Sequence, residues 1–455
     1  MNQRLIPILL LINILSVSLH AQDIETQEIE NFLKKEYAEN SPGAVVLIAK
    51  KDQIIFKRAF GLSDIKKRKP IKTDMIFQIG SMAKQFTSAA LLQLVDEGKV
   101  ALDDPIQKYV EYFPIKEFPI TLHHLLSQTS GIPEFFDIDE EEMHLLSQGH
   151  TPEQLISYYK NQPLEFEPGT KFQYSNSNYP LLGVVIERVS GISLKEYMRI
   201  NLFEPLKMSS TSLWYNNEMK RKRIAKGYRI YEGELISSPK IVGSVPYAAG
   251  AIVSTVDDLW IWNQELKNRT VLTDFVVDNL ITEKRTTSGA GTGYGYGFFI
   301  KNLLELKTIQ HGGNMYGFTS YGLYLPSEDL FVCVLANKSL ERTEEVANYL
   351  ASVILKNPLE IEDRSQLEYD KYQEYFGTYQ LEGESKLIEI FMVYDVLVLD
   401  FPEARGTGTK LMITEADKME SKAVNVKIQF TRNDKGDIIG FTAEQNGETE
   451  WKKIK

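Results

Sequence analysis

Ile76-Phe77-Gln78-Ile79-Gly80-Ser81-Met82-Ala83-Lys84-Gln85-Phe86 is the stretch that decides the reading of this 455-residue chain. An apolar run breaks at Gly80, and Ser81 opens a long, mostly apolar helix. The helix is predicted to run to about Glu97 and stop at Gly98. Positions three apart share a helical face, so the Ser81 hydroxyl and the Lys84 amine can meet. A helix apolar nearly all round is a buried one, and burial disfavours the ammonium form of lysine. A neutral amine beside a serine can take the hydroxyl proton and make the oxygen a nucleophile.

The triplet alone is weak, because it recurs at Ser63/Lys66, Ser157/Lys160 and Ser237/Lys240. Pro239 interrupts the last of these, and Ser63 lies in the charged run Asp64-Ile65-Lys66-Lys67-Arg68-Lys69. Ser157 falls late in a surface helix opened by Thr151-Pro152-Glu153. Only Ser81 combines a helix start with an apolar surrounding.

The length allows two to four domains, and 43% hydrophobic residues suffice for a sizeable core. The formal net charge is −11, and Arg4 is the only charged residue among the first 21, so the chain beyond carries −12. That balance argues against nucleic acid as a partner. Clusters such as Lys220-Arg221-Lys222-Arg223 are short and read as solvated loop. The N-terminus reads as a secretory signal over residues 1–21: Arg4, an apolar core of about 13 residues, then Ser18-Leu19-His20-Ala21. A retained anchor helix is the alternative. No later segment is long and apolar enough to span a bilayer, so the expectation is a secreted or periplasmic protein without an integral span. Cys333 is the single cysteine, in the strand-like run Phe331 to Leu335, and reads as a packing residue.

Gly43 to Lys50 and Gln53 to Phe60 read as a hairpin turning at Lys51-Asp52. Further helices are predicted near Leu181 to Val189, over Val256 to Leu266 and from about Thr343 to Leu355. Residues 308–337 alternate strand and turn. Composition shifts at Asn357-Pro358 and the acidic Glu360-Ile361-Glu362-Asp363, which divides a domain of residues 22–358 from one of 365–455. In the second, strands are predicted over Phe376 to Leu381, Leu387 to Val393, Val396 to Phe401, Val424 to Thr431 and Ile438 to Glu444, a small sheet or barrel.

Acyl transfer through serine also needs a proton relay and donors for the developing oxyanion. Tyr174-Ser175-Asn176 offers a phenol and a carboxamide, and a phenol held near a lysine can have a lowered pKa. Tyr-x-Asn recurs at Tyr215-Asn216-Asn217, and by itself also fits an ordinary half-buried tyrosine. His311-Gly312-Gly313-Asn314 closes a predicted strand from Lys307 to Gln310. Two glycines there admit a ligand close to the backbone, and the Asn314 N–H can be an oxyanion donor together with that of Ser81. Taken alone, the motif equally fits a glycine turn with an exposed histidine. The glycine-rich run Gly291 to Gly297 lacks a following Gly-Lys-Ser/Thr and reads as a lead into a strand. His123-His124 and His144/His150 fit no metal-ligand spacing, so neither metal nor other cofactor is expected.

In combination, Ser81-x-x-Lys84, Tyr174-x-Asn176 and His311-Gly312-Gly313 resemble the serine β-lactamase-like family. So do the framing segments Leu102 to Pro105, His124 to Gly131, Glu167 to Thr170, Phe203 to Leu206 and Ala249 to Thr255. The family includes class C β-lactamases, D-alanyl-D-alanine carboxypeptidases, D-aminopeptidases and esterases. The resemblance covers about residues 25–355. It implies an α/β/α domain (α+β in class) with an antiparallel sheet, a helical subdomain, and the active site between them. The C-terminal strands resemble the small β-barrels that some members append. Carried over, Ser81 is the nucleophile, Lys84 and Tyr174 share base and acid duty, and Asn176 orients lysine and substrate. The N–H groups of Ser81 and Asn314 form the oxyanion hole. The departure is His311, where many members carry lysine. A neutral histidine gives a substrate carboxylate no fixed charge, which leaves room for esters and amides without one. The expected partner is therefore a small-molecule or peptide substrate, with amide or peptide bonds of D-amino-acid peptides or β-lactam-like substrates leading, an esterase as alternative, and a penicillin-binding sensor without turnover as a reading of another class. Oligomeric state is left open.

Overall fold

The computed structural model describes residues 26–134, 149–214, 223–231, 234–239, 242–339, 341–361, 372–393, 396–400, 409–421, 426–445 and 447–454. The segment read as a signal lies outside the described residues. So do Tyr215-Asn216-Asn217, the basic run at 220–222 and His144. The chain divides into two compact units, one of residues 1–229 and 237–362 and the other of 230–236 and 363–455.

The first unit is built on a six-stranded sheet: β1 (Ala44–Lys50), β2 (Gln53–Ala59), β3 (Phe299–Leu303), β4 (Leu306–Met315), β5 (Phe318–Leu325) and β6 (Leu330–Ala336). Their order is β3-β4-β5-β6-β1-β2, every pair antiparallel. The β1–β2 turn places Lys51 and Asp52 at φ 50° and 63°, the left-handed pair that a two-residue hairpin demands. Both faces of the sheet are covered, so the central strands β1 and β6 are almost wholly apolar. In β1, Ala44, Val46 and Ile48 pack with Ile29 and Leu33 of α1 (residues 26–36) on one side. Val45, Leu47 and Ala49 face the other layer. Cys333 in β6 is fully buried in that same layer, and burial raises its thiol pKa, as a packing role requires.

The helices that bear on the site are α2 (Ala83–Asp96), α3 (Asn178–Ser190) and α4 (Val256–Asn268). A further helix, α5 (Thr343–Ile354), joins α1 on the opposite face. The α2 helix ends as its sequence predicts, with Gly98 at φ 70° just beyond the last turn. All ten residues from Ala83 to Leu92 are buried. The Phe86 ring lies 4.5 Å from Trp262 of α4 and 5.5 Å from Phe203. Each such fully buried large apolar side chain is worth about 1.5–3 kcal/mol. This packing fixes α2 as a rigid base for its first turn. Gly191 (φ 75°) closes α3, and Thr255 caps α4 by accepting from the Asp258 N–H.

The second unit is a closed eight-stranded antiparallel barrel: Gly377–Leu381, Leu387–Val393, Val396–Asp400, Thr409–Glu415, Lys418–Ser421, Val426–Arg432, Ile438–Glu444 and Glu448–Lys453. Tyr379, Phe430, Phe441 and Trp451 stack in its interior. Three of these strands escaped the sequence reading. Lys418–Ser421 is short, and Glu448–Lys453 and Thr409–Glu415 carry charged residues that blur the alternation a strand is read from.

Candidate active site

The site starts at a turn of 3-10 helix, Gly80–Met82, that precedes α2. Gly80 has φ +50°, and a Cβ there would lie 2.9 Å from both N and O of Asn314. Only glycine allows β4 to approach the start of α2 this closely. On the other side of the contact, a Cβ on Gly313 would lie 2.0 Å from the Ile79 carbonyl oxygen, which accepts from Ser320 Oγ at 2.8 Å. The two glycines therefore lock the backbone of Asn314 against that of Gly80 and Ser81.

This corrects the expectation that His311 to Asn314 close a strand. They lie inside β4, which runs on to Met315. Strand β3 pairs only with residues 306–310, so from His311 onward that side of β4 has no strand neighbour among the described residues. His311 is also buried rather than exposed, at 2%. Its Nδ1 lies 2.6 Å from the Gly312 carbonyl, so that nitrogen carries the hydrogen, and Nε2 is left to face the Tyr294 hydroxyl at 3.3 Å. Burial, with the Lys84 charge adding to it, pushes its pKa down to about 3, so the ring is neutral at pH 7.

Lys84 is fully buried one turn after Ser81. Its Nζ lies 3.1 Å from Ser81 Oγ, 2.7 Å from Asn176 Oδ1 and 3.0 Å from the carbonyl oxygen of Ala249. The rings of Tyr174 and Tyr179 stand 5.0 and 5.2 Å from the same nitrogen. Burial lowers the amine to about 7, and the charge of Glu134 opposes the shift. The amine thus titrates near neutral pH.

Tyr174 departs from expectation. Burial raises its pKa well above the ordinary tyrosine value, and proximity to Ser81 offsets this only in part. The lowered phenol expected from a neighbouring lysine does not arise, because burial, which opposes the charged phenolate, is the largest influence on it. The Tyr174 hydroxyl is buried and makes no hydrogen bond of normal geometry. Its ring belongs to an aromatic wall with Tyr294, Phe299 and His311.

Tyr174 and Asn176 lie some ninety residues from Lys84 in sequence and are brought to it by a zipper between two loops. Gln128, at φ +60°, accepts through Oε1 from the Ser175 N–H at 3.0 Å and from Asn178 Nδ2 at 2.5 Å. Ser177 Oγ donates to the Pro133 carbonyl at 2.6 Å. Two participants were not singled out from sequence. The Ala249 carbonyl has no side-chain signature. Glu134 accepts through Oε2 from both the N–H and Nδ2 of Asn176, at 2.6 and 3.0 Å. Its one visible signal is a charged residue directly after the loop Ser130-Gly131-Ile132-Pro133.

The competing serines are placed otherwise. Ser63 is buried in a short strand and donates to Lys69 and Pro70 carbonyls, and Ser157 is exposed on a surface helix. No group of three His, Cys, Asp or Glu side chains among the described residues is arranged to hold a metal ion, and no described helix is long and apolar enough to cross a membrane.

Comparison with known proteins shows the family to which the chain belongs. The chain is 24% identical to penicillin-binding protein 4* of Bacillus subtilis over 412 residues, 85% of this chain and 89% of that one. It is 28% identical to protein flp of Staphylococcus aureus over 342 residues, 74% of this chain and 66% of the relative. Among solved structures, the octameric penicillin-binding protein homologue from Pyrococcus abyssi superposes with a TM-score of 0.68 at 27% identity, covering 94% of this chain and 99% of that one. A family model described as Beta-lactamase matches residues 26–356, most of the chain. The chain therefore belongs to the Beta-lactamase family and is a serine hydrolase of penicillin-binding-protein-like fold.

Proposed function

We propose that this protein is a secreted hydrolase that cleaves amide or peptide bonds through a Ser81 acyl-enzyme, with D-amino-acid peptides and related amides as its substrate class. The observation that carries the reading is the three-way setting of Lys84 Nζ. A neutral amine has two N–H donors and one lone pair. The carbonyl oxygens of Asn176 and Ala249 can only accept, so they take the two donors. The lone pair is left for the Ser81 hydroxyl, the arrangement of a general base.

Ser81 Oγ bonds to the substrate carbonyl carbon as its proton passes to Lys84 Nζ. The oxygen that becomes negative is held by the N–H groups of Ser81 and Asn314, each worth about 10²–10³ in rate. Collapse breaks the bond to the leaving nitrogen, which takes a proton from the Tyr174 hydroxyl. Tyr174 is protonated at neutral pH and regains its proton from Lys84. Water then attacks the acyl-enzyme by the same route and releases the acid. Secretion rests on the N-terminal segment of residues 1–21.

The neutral, buried His311 supports a second reading, a carboxylesterase. A wall of Tyr174, Tyr294, Phe299 and neutral His311 holds no fixed cation for a substrate carboxylate. The deciding experiment incubates the protein and its Ser81→Ala form with a D-amino-acid p-nitroanilide, a p-nitrophenyl acyl ester and a fluorescent penicillin, following product and intact mass together. Ser81-dependent anilide turnover is expected. Ester turnover without anilide turnover would favour the esterase, and a stable penicilloyl adduct without product would favour a sensor. Activity that survives Ser81→Ala would refute the acyl-enzyme.

A further inference from the structure

Asn176 presents a carboxamide whose two ends have opposite hydrogen-bonding character, and a 180° rotation about its last bond would exchange them. Its Oδ1 faces Lys84 Nζ at 2.7 Å. With the ends exchanged, an NH₂ group would face the amine, take up its lone pair, and withdraw it from Ser81. Glu134 prevents this. Its Oε2 accepts from the Asn176 backbone N–H at 2.6 Å and from Nδ2 at 3.0 Å, and a carboxylate accepts but does not donate. The neighbouring backbone is itself held, since the Pro133 carbonyl accepts from the hydroxyls of Ser175 and Ser177.

We propose that Glu134 is a positioning residue for hydrolysis: its carboxylate fixes the Asn176 amide, and through it aims the Lys84 lone pair at Ser81. The proposal rests on the Ser81 acyl-enzyme reading and adds a residue that the serine, lysine and tyrosine motifs do not contain.

The carboxylate has a second effect, through its charge. The titratable side chains around Lys84 are Tyr174 from the loop before α3, Tyr179 from α3, His311 from β4 and Glu134 from the loop after Gly131. Both phenols are raised by burial and stay protonated, and His311 stays neutral. Among these groups it is the Glu134 charge that acts on the amine. That negative charge opposes the desolvation of Lys84 and keeps the amine basic enough to accept a proton near neutral pH.

The test uses the full chain and whichever chromogenic substrate Ser81 turns over, with kcat and KM measured from pH 5 to 9 for Glu134→Gln and Glu134→Ala. Glutamine keeps the size and one accepting oxygen but removes the charge. Its acidic limb of kcat/KM should move down by roughly 0.5–1 pH unit, because losing a nearby anion favours the neutral amine. Alanine also frees the Asn176 amide, and its plateau kcat should fall by about tenfold or more with KM within twofold. A limb that stays in place in Glu134→Gln, with a plateau within twofold of wild type in Glu134→Ala, would overturn the proposal. Should the alanine form fail to fold by near-UV circular dichroism, the limb of the glutamine form decides alone. Loss of turnover in Ser81→Ala, together with that unmoved limb and unchanged plateau, would refute the role of Glu134 only. Retained turnover in Ser81→Ala would refute the underlying reading.

Discussion

Replacing Gly313 by alanine should disable the site while leaving Ser81, Lys84 and Tyr174 untouched. A Cβ at this position would sit 2.0 Å from the Ile79 carbonyl oxygen and 2.7 Å from Ser320 Oγ, and approaches under 3.0 Å are essentially never seen. Serine 320 can rotate away, but the Ile79 oxygen is backbone and is already held by Ser320 Oγ and the Met82 N–H. The strand must therefore retreat from the start of α2 by about 1 Å. An oxyanion donor works only within about 2.7–3.1 Å of the oxygen, so a shift of that size takes the Asn314 N–H out of range. The expected cost is one donor, about 10²–10³ in kcat/KM or roughly 2.7–4 kcal/mol of transition-state stabilisation. Overpacking should also lower stability by about 1–3 kcal/mol. The assay is the acylation rate measured by burst kinetics with a p-nitrophenyl ester, beside a denaturation curve. Gly312→Ala is the control, because its Cβ would press at 3.0 Å on the Tyr321 side chain instead of on backbone. Near wild-type acylation in a folded Gly313→Ala protein, or equal losses in both variants, would refute the close-approach argument.

Other consequences follow from the same geometry. With Lys84 lowered to about 7 and active as the neutral amine, kcat/KM should rise with pH through an apparent pKa near 7, and a flat profile between pH 5.5 and 8.5 would contradict its role as base. The same depressed pKa makes a stability prediction. The folded value lies below the unfolded value of 10.5, so between pH 7 and 10 the unfolded chain binds more protons, and the wild type gains stability relative to Lys84→Met as pH rises, by up to roughly 4 kcal/mol. Denaturant midpoints of the two proteins at pH 7 and pH 9.5 measure this gain, and a constant difference would show that the amine is not desolvated. His311→Lys should raise the ratio of penicillin acylation to neutral-ester turnover by about tenfold, equivalent to 1.4 kcal/mol, by supplying the missing cation, and an unchanged ratio would show that this strand does not meet the substrate carboxylate.

How much was legible beforehand differs from element to element. The helix after Ser81 declared both its ends, and the Lys51-Asp52 turn declared its hairpin, because these depend on residues adjacent in sequence. Two barrel strands with charged residues and a third of four residues were not legible, since closure of the barrel rather than alternation makes them strands. From sequence the histidine-glycine motif reads as the close of a strand ending at Gln310. In the fold its glycines serve a backbone that passes within contact of Ile79 and Gly80.

By itself the sequence determined what the turn leading into α2 could do: a serine and a lysine three apart at the start of a buried helix are neighbours in any fold that keeps the helix. It also carried the family's motifs in order. The apolar helix already foretells a lowered Lys84, but tertiary structure alone decided the state of Tyr174. Burial raises the phenol as it lowers the lysine, because desolvation opposes whichever form is charged. It alone decided, too, that Glu134 and the Ala249 carbonyl meet the lysine, one through Asn176 and the other directly, since these contacts join segments far apart in the chain and are made by loop packing.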